Sequence, residues 1–377
     1  MLFKEKCDAY EYLKHSGKPI AVYGMGNGAD KIFHIFQEKG IDVAAVFASD
    51  DFVRGQSFRG FKVKTYLQVC DELKDFIIVP AFASRLPEVM QRMDKFDKEH
   101  EVRFLELPVI GEEAIDLNYI EQNSKAIDEV FHMLYDTKSK EVFSSLLEFR
   151  ISGKLEYLRK IMSDRSEIFS LMGIGRNEIY ADLGAYDGDT IQELVDITGG
   201  YAHVIAVEPD RKNFRKLEQY ASDKKDITLV NKAVYSHKTL LHFNDKAGRN
   251  SSLDVQGRCE IMSDSPDNIF MQSGFKNVTY AKFDVEGAEK EALLGMTRTM
   301  RSFQPKLCVS AYHRRQDLWS SLLINRSIPI TKLPLESIYI IRDGKRLFIA
   351  GEICIFLLKI KLVWIIMKAV SFWIIML

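Results

Sequence analysis

The stretch ADLGAYDGDT, residues 181–190, sets two glycines among three carboxylates. Gly184 and Gly188 suit a loop that lets backbone approach a ligand closely. Asp182, Asp187 and Asp189 oppose a phosphate there, because pyrophosphate sites need bare N–H groups and positive potential at a helix start. A ligand that couples an adenosine to a positive charge fits better. The next apolar run, AHVIAVEP, ends in Glu208 and Pro209. A carboxylate at that point can accept two hydrogen bonds from a ribose diol, and Pro209 stops the strand. S-adenosylmethionine has the required parts: a ribose, an adenine, a sulfonium and an α-ammonium, with Asp182 placed to face the ammonium. The competing reading is a plain turn, since Asp and Gly both favour turns.

A second set of chemical groups follows. AKFDVEGAEKEAL carries Asp284, Glu286 and Glu289 at the end of a strand and the start of a helix. Asp284 falls at the strand tip, where a methyl acceptor would lie. Glu286 and Glu289 also suit a helix N-terminus, where the macrodipole favours acids. The three acids could hold a divalent metal, although the expectation is that none is needed. Lys282 and Asp284, two apart on a strand, point to one face and can pair. SAYHRR then brings His313 to a strand end. Histidine titrates near neutrality and suits a general base; the alternative is that it orients the loop. Arg314 and Arg315 would grip an anionic acceptor or face solvent.

These groups need strands and helices to bring them together. Residues 178–183, 202–209, 227–235, 278–284 and 305–313 read as strands, with helices between them. Alternating strand and helix imply a parallel, doubly wound sheet whose ligands sit at the strands' C-terminal ends. An earlier unit repeats the pattern. KPIAVYGMGNGADKIF places Gly24, Gly26 and Gly28 between a strand at 19–23 and a helix running to about Lys39. DVAAVFA, DFIIVPAF and RFLELPVI are its further strands, and Asp50–Asp51 follow the second. Gly24-x-Gly26-x-x-Ala29 fits a dinucleotide fingerprint loosely; the alternative is a Rossmann-like unit that binds nothing. Between the units, residues 112–176 show helical spacing, with Asp136 to Ser139 able to cap a helix and the charges expected on a solvated face. The organisation expected is a Rossmann-like domain at 1–111, a helical linker at 112–176, a second α/β domain at 177–325 and an atypical segment at 326–377.

Composition narrows the partners. The 377 residues include 52 basic and 53 acidic side chains, so no global field favours nucleic acid. Five scattered cysteines form no CxxC pair, which speaks against zinc and a disulfide framework. The N-terminal stretch alternates charge with apolar residues and lacks the apolar run of a secretory leader. A cytoplasmic protein is expected.

YADLGAYDGDT, VIAVEPD, NKAVYS, AKFDVEGAEKEALLGM and AYHRRQDLW together resemble the FkbM family of S-adenosylmethionine-dependent methyltransferases. The likeness runs over about 166–324. It implies a class I methyltransferase fold and methyl transfer, usually to a hydroxyl oxygen, often of a sugar on a glycan or a glycosylated small molecule. By motif position it implies cofactor contacts at Asp182, Gly184, Ala185, Tyr186, Gly188, Glu208, Pro209 and Ala233. It implies active-site roles for Asp284, Glu286 and His313. The other functional reading is a nucleotide or nucleotide-sugar binding protein whose methyltransferase-like domain is inactive. The pattern stops near Asn325. SIYIIRDGKRLFIAG reads as a hairpin with an Asp-Gly turn, which could replace the two strands that usually complete such a sheet. The last residues, 352–377, are strongly apolar, with Lys359, Lys361 and Lys368 interspersed. They fit either membrane contact through a snorkelling interfacial segment or a shifted reading frame, and an incomplete sheet is one expectation.

Overall fold

The computed structural model describes residues 3–82, 86–107, 110–111, 113–134, 136–163, 165–243 and 259–323, with two short strands beyond them. The first unit is a four-stranded parallel sheet. Its strands are β1 (Ile20–Tyr23), β2 (Ala45–Phe47), β3 (Ile77–Pro80) and β4 (Glu101–Val102), in the order β2-β1-β3-β4. β1 and β3 are buried along their whole length, as strands covered on both faces must be. The strand expected at 103–110 is displaced: pairing stops at Val102, and the chain continues towards the second unit.

The expected glycine turn forms between β1 and the helix Asn27–Lys39. A Cβ on Gly28 would stand 2.0 Å from the carbonyl oxygen of Ala81. Close packing of helix on β3 is therefore sufficient reason for that glycine, without a ligand. At the same edge Tyr23 Oη lies 2.7 Å from Ser49 Oγ, and Arg92 Nη1 donates to Tyr23 Oη at 3.0 Å.

The segment between the units is more than a spacer. It folds into Leu117–Gln122, Ser124–Met133, Thr137–Ser152, Leu155–Arg159 and Arg165–Met172, in line with the helical spacing read there. Asp136 caps Thr137–Ser152 by accepting from Ser139 N, as the sequence predicts. The expectation of a solvated charged face holds at Lys138 and Glu141, which are exposed, and fails on the second half of this helix. From Ser145 to Ser152 every residue is buried, Glu148 and Arg150 included. Arg150 donates to both carboxylate oxygens of Glu106, at 3.1 and 2.8 Å. Glu148 accepts from Lys4 N at 2.6 Å and Glu5 N at 3.1 Å. The reason is placement. One buried apolar cluster runs from Tyr23 and Phe47 through Phe143 and Leu147 to Ala181, Phe283 and Val309. Where the helix enters that cluster its charges are cut off from water, so they must pair internally.

The second unit contains β5 (Ile179–Leu183), β6 (His203–Val207), β7 (Ile227–Val230), β8 (Tyr280–Phe283), β9 (Lys306–Ser310) and β10 (Cys354–Leu357). Their order is β7-β6-β5-β8-β9-β10. All neighbours are parallel except β10, which runs antiparallel to β9 with Leu307 opposite Leu357 and Ser310 opposite Cys354. A small sheet of Ala233–Val234, Cys259–Asp264 and Thr239–Phe243 lies beside it. The two α/β units joined by helices are the fold that the alternating pattern implies. The start of the apolar tail supplies one antiparallel edge strand beyond β9, of the two that usually complete such a sheet. Arg342 and Asp343, within the segment expected as a hairpin, pair with Met162 and Ser163 in a two-residue parallel bridge. The rest of that hairpin and residues 358–377 lie outside the described residues. Among the described residues no helix is long and apolar enough to cross a membrane.

Candidate active site

The chain leaves β5 in one direction to build β6 and β7, then returns to its other side for β8 and β9. The switch point is the gap between β5 and β8, where open α/β sheets bind ligands. Asp182, Gly184, Glu208, Asp284 and His313 all come from the C-terminal ends of these strands or the turns just beyond them.

Gly184 lies at φ 91°, and a Cβ there would stand 1.9 Å from the carbonyl oxygen of Asp284. Only glycine lets the β5 and β8 exits pass so closely. Gly184 N and Ala185 N both donate to Val207 O at 2.9 Å. Gly188, also at positive φ, opens the helix Asp189–Thr198 against the ring of Tyr220. Tyr186 takes φ 50° and aims its N–H at Glu208 Oε2, 2.9 Å away. The second oxygen of Glu208 accepts from Asp210 N at 2.8 Å. Glu208 is thus pinned by the turn of its own strand and by the turn after β5. Burial pushes its carboxyl up to about 8, against the two backbone hydrogen bonds; the nearby charges of Asp210 and Glu286 add to the rise. Asn231, which sequence reasoning passed over, donates to Glu208 O at 2.8 Å and Pro209 O at 3.1 Å. It stands one residue beyond β7, at the head of NKAVYS, the only cue in the sequence. Ala233 is buried in the small sheet opposite Ser263.

Asp182 requires a correction. It is fully buried, accepts from the Thr190 hydroxyl, and has Lys282 Nζ 3.3 Å from Oδ1. Lys282 also donates to Gly184 O at 3.1 Å. The expected contact with a ligand ammonium is not what this arrangement offers, because the side chain is sealed beneath the loop with Lys282 and Thr190. Burial raises the Asp182 carboxyl above its ordinary value, with Lys282 and Thr190 acting against the rise.

The second group gathers around His313. Lys282 lies 3.7 Å from Asp284 Oδ2, the same-face pairing predicted from spacing. Tyr312 Oη donates to Asp284 Oδ1 at 3.0 Å. His313 Nε2 is 3.6 Å from Asp284 Oδ1 and 3.4 Å from Glu286 Oε2, while Nδ1 is 3.0 Å from Glu289 Oε1. Glu289 Oε1 also accepts from Val285 N at 3.0 Å and Gly287 N at 3.3 Å. Burial tends to depress the imidazole, but Glu289 and Glu286 outweigh it and hold His313 well above its ordinary value. In that protonated form the ring has no lone pair for a proton, which favours the alternative reading, that His313 orients its loop, over a general base. For Asp284, burial acts to raise the carboxyl, and Lys282 and His313 together with hydroxyl hydrogen bonds bring it below its ordinary value. Glu286 goes up instead, through burial against the pull of His313. Asp284 and Glu286 keep 16% and 32% of their side chains open, whereas His313 keeps none. The open side of the cluster is therefore carboxylate.

Arg314 and Arg315 do not converge on an acceptor. Arg314 Nε donates to Gly287 O at 3.2 Å. Arg315 pairs with Glu113 at 3.3 Å and lies over the Tyr119 ring. The first unit's exit reaches the same loop, with Ile110 N donating to His313 O at 2.8 Å and Arg150 Nη1 to Arg315 O at 3.2 Å.

Comparison with known proteins gives this geometry a context. The sequence profile of the methyltransferase FkbM domain matches residues 182–331. The solved methyltransferase FkbM from Methylobacillus flagellatus KT is 20% identical, covers 87% of this chain and 87% of its own, and superposes with a TM-score of 0.63. At that identity the likeness is one of fold, and its coverage takes in both sheets. Precorrin 8W decarboxylase from Methanobacterium thermoautotrophicum is 14% identical over 45% of this chain and 75% of its own, with a TM-score of 0.29. The fibrillarin of Aeropyrum pernix, solved with S-adenosyl-L-methionine, is 12% identical over 47% of this chain and 69% of its own, also at 0.29. Scores that low carry no argument. No curated protein matches the chain.

Proposed function

Residues 182–331 place this chain in the FkbM methyltransferase family, and from that premise we propose that it moves the methyl group of S-adenosylmethionine to a hydroxyl of a sugar, on a glycan or a glycosylated metabolite. The observation that carries the proposal is Glu208. Its two oxygens are pre-set by Tyr186 N and Asp210 N at a strand end beside a glycine turn. Each carboxylate oxygen retains acceptor capacity for a ribose hydroxyl. Gly184, Ala185, Tyr186 and Gly188 form the floor under the ligand, and Asp182 with Lys282 holds that floor from below.

Bound there, S-adenosylmethionine would supply a methyl group that passes to the acceptor oxygen as the C–S bond breaks and its electron pair returns to sulfur. The acceptor proton passes to a carboxylate. Glu286 suits that role: its raised carboxyl is the stronger base, and its side chain is the more open. Asp284 orients the acceptor. Hydroxyl-rich acceptors suit the open carboxylates of Asp284 and Glu286, which accept hydrogen bonds from sugar hydroxyls. An even balance of charge, 52 basic against 53 acidic residues, gives a polyanion no purchase. Incubation with radiolabelled S-adenosylmethionine and bacterial glycan fractions tests the reading. Label transferred to carbohydrate, and lost with Glu286→Gln, is expected. Failure of the protein to bind the methyl donor would remove it.

A further inference from the structure

We propose that Asp284, Glu289 and His313 bind a divalent metal cation. Three separate elements bring them together: the end of β8, the first turn of the helix Glu289–Gly295, and the end of β9. One donor atom from each lies within 4.8 Å of the other two. Acids at a helix start would not justify a site by themselves, since capping explains them. His313 adds an independent observation. It is fully buried, and neither ring nitrogen has a hydrogen-bond partner. Glu289 Oε1 is near Nδ1, at 3.0 Å, but off the direction its N–H would need. A buried polar group without a hydrogen bond is costly and rare. A cation between the imidazole and the carboxylates, taking the place of the imidazolium proton, satisfies one of the two nitrogens.

The charge balance points the same way. Asp284, Glu286 and Glu289 surround His313, and Asp317 is buried close by, its carboxyl bonded to Arg314 N at 2.7 Å. Lys282, 3.7 Å from Asp284, is shared with Asp182. The Arg314 guanidinium is turned to Gly287 O. A proton on His313 offsets one negative charge; a divalent cation offsets two. The donor set is one imidazole and two carboxylates without a thiolate, which favours Mn2+, Fe2+ or Zn2+ over soft ions. Glu286 stands at the open side as a further oxygen donor, so a ligand entering from the cleft reaches the cation past Glu286. A role for the cation in holding the acceptor hydroxyl rests on the methyl-transfer reading; cation binding does not.

The full-length protein, stripped with a chelator and dialysed, is titrated with Mn2+ while free Mn2+ is followed by electron paramagnetic resonance. S-adenosylhomocysteine binding is measured on the same samples. One saturable Mn2+ per chain is expected, weakened at least about tenfold by His313→Ala and by the milder Glu289→Gln. Circular dichroism checks that each variant is folded. Absence of saturable binding to the wild-type chain, or unchanged affinity in both folded variants, overturns the proposal. Should Mn2+ fail to bind while S-adenosylhomocysteine binds, the metal site falls and the methyltransferase reading stands. The reverse result would retain the metal site and remove the cofactor.

Discussion

Lys282 and Asp182 are register partners on β8 and β5, and Lys282 Nζ lies 3.3 Å from Asp182 Oδ1 with both side chains buried. The pair ties together the two strands that flank the ligand crevice. Lys282→Met leaves Asp182 a buried charge with only Thr190 to satisfy it. The expected cost is about 3–5 kcal/mol of unfolding free energy, measured by urea denaturation. The double variant Lys282→Met, Asp182→Asn should recover much of that loss.

Gly184 and Gly199 both sit at positive φ, 91° and 78°, but differ in surroundings. A Cβ at Gly199 meets nothing within 4 Å, whereas at Gly184 it meets Asp284 O at 1.9 Å. Gly199→Ala should therefore cost about 1 kcal/mol of backbone strain and leave ligand binding intact. Gly184→Ala should force β5 and β8 apart and abolish S-adenosylhomocysteine binding, measured by titration calorimetry.

Glu208 makes stability depend on pH. Its folded carboxyl is pushed up to about 8 from an ordinary 4.5. Between those values the folded protein keeps a proton that the unfolded chain has lost. Its contribution is therefore full below the ordinary value and is lost as pH rises towards 8, by roughly 3–5 kcal/mol across the window. Glu208→Gln should flatten that part of the stability profile; Asp317, pushed up to about 7, keeps a slope of the same sign. Ligand binding should run the other way. A ribose diol donates to the ionised form, so affinity for S-adenosylhomocysteine should rise as pH approaches 8 in the wild type and stay level in the variant.

Arg150 couples the linker helix to the loop after β9, through Glu106 on one side and Arg315 O on the other. Arg150→Met strands a buried Glu106 and should lower unfolding free energy by about 3–5 kcal/mol. Glu106→Gln in the same chain should restore much of it. Because the His313 loop loses a backbone anchor, the double variant should still show a raised KM for the acceptor, read in steady-state kinetics, with S-adenosylhomocysteine affinity unchanged.

The strand ends of the second unit were legible because parallel strands read as apolar runs, and Gly184, Glu208, Asp284 and His313 stand where those runs stop. Local pattern also located the Asp136 cap and the Lys282–Asp284 pairing. The roles of Asp182 and His313 were not legible. Each depends on neighbours about 100 or about 25 positions away, Lys282 for one and Glu286 with Glu289 for the other, and no periodicity encodes such distances. The buried Glu106–Arg150 pair escaped for the same reason: a charge looks solvated until the fold covers it. β10 escaped because an antiparallel edge strand of only Cys354–Leu357 cannot be told from its apolar surroundings by pattern.

The central claim is that the turn at 184–188 and Glu208 receive a cationic adenosine conjugate. Titration calorimetry of the full chain with S-adenosylhomocysteine, and in parallel with NAD, tests it most directly. The account predicts one saturable site for S-adenosylhomocysteine, lost in Glu208→Ala, and no binding of NAD at the same concentrations. Binding of NAD alone, or S-adenosylhomocysteine binding indifferent to Glu208→Ala, would contradict it.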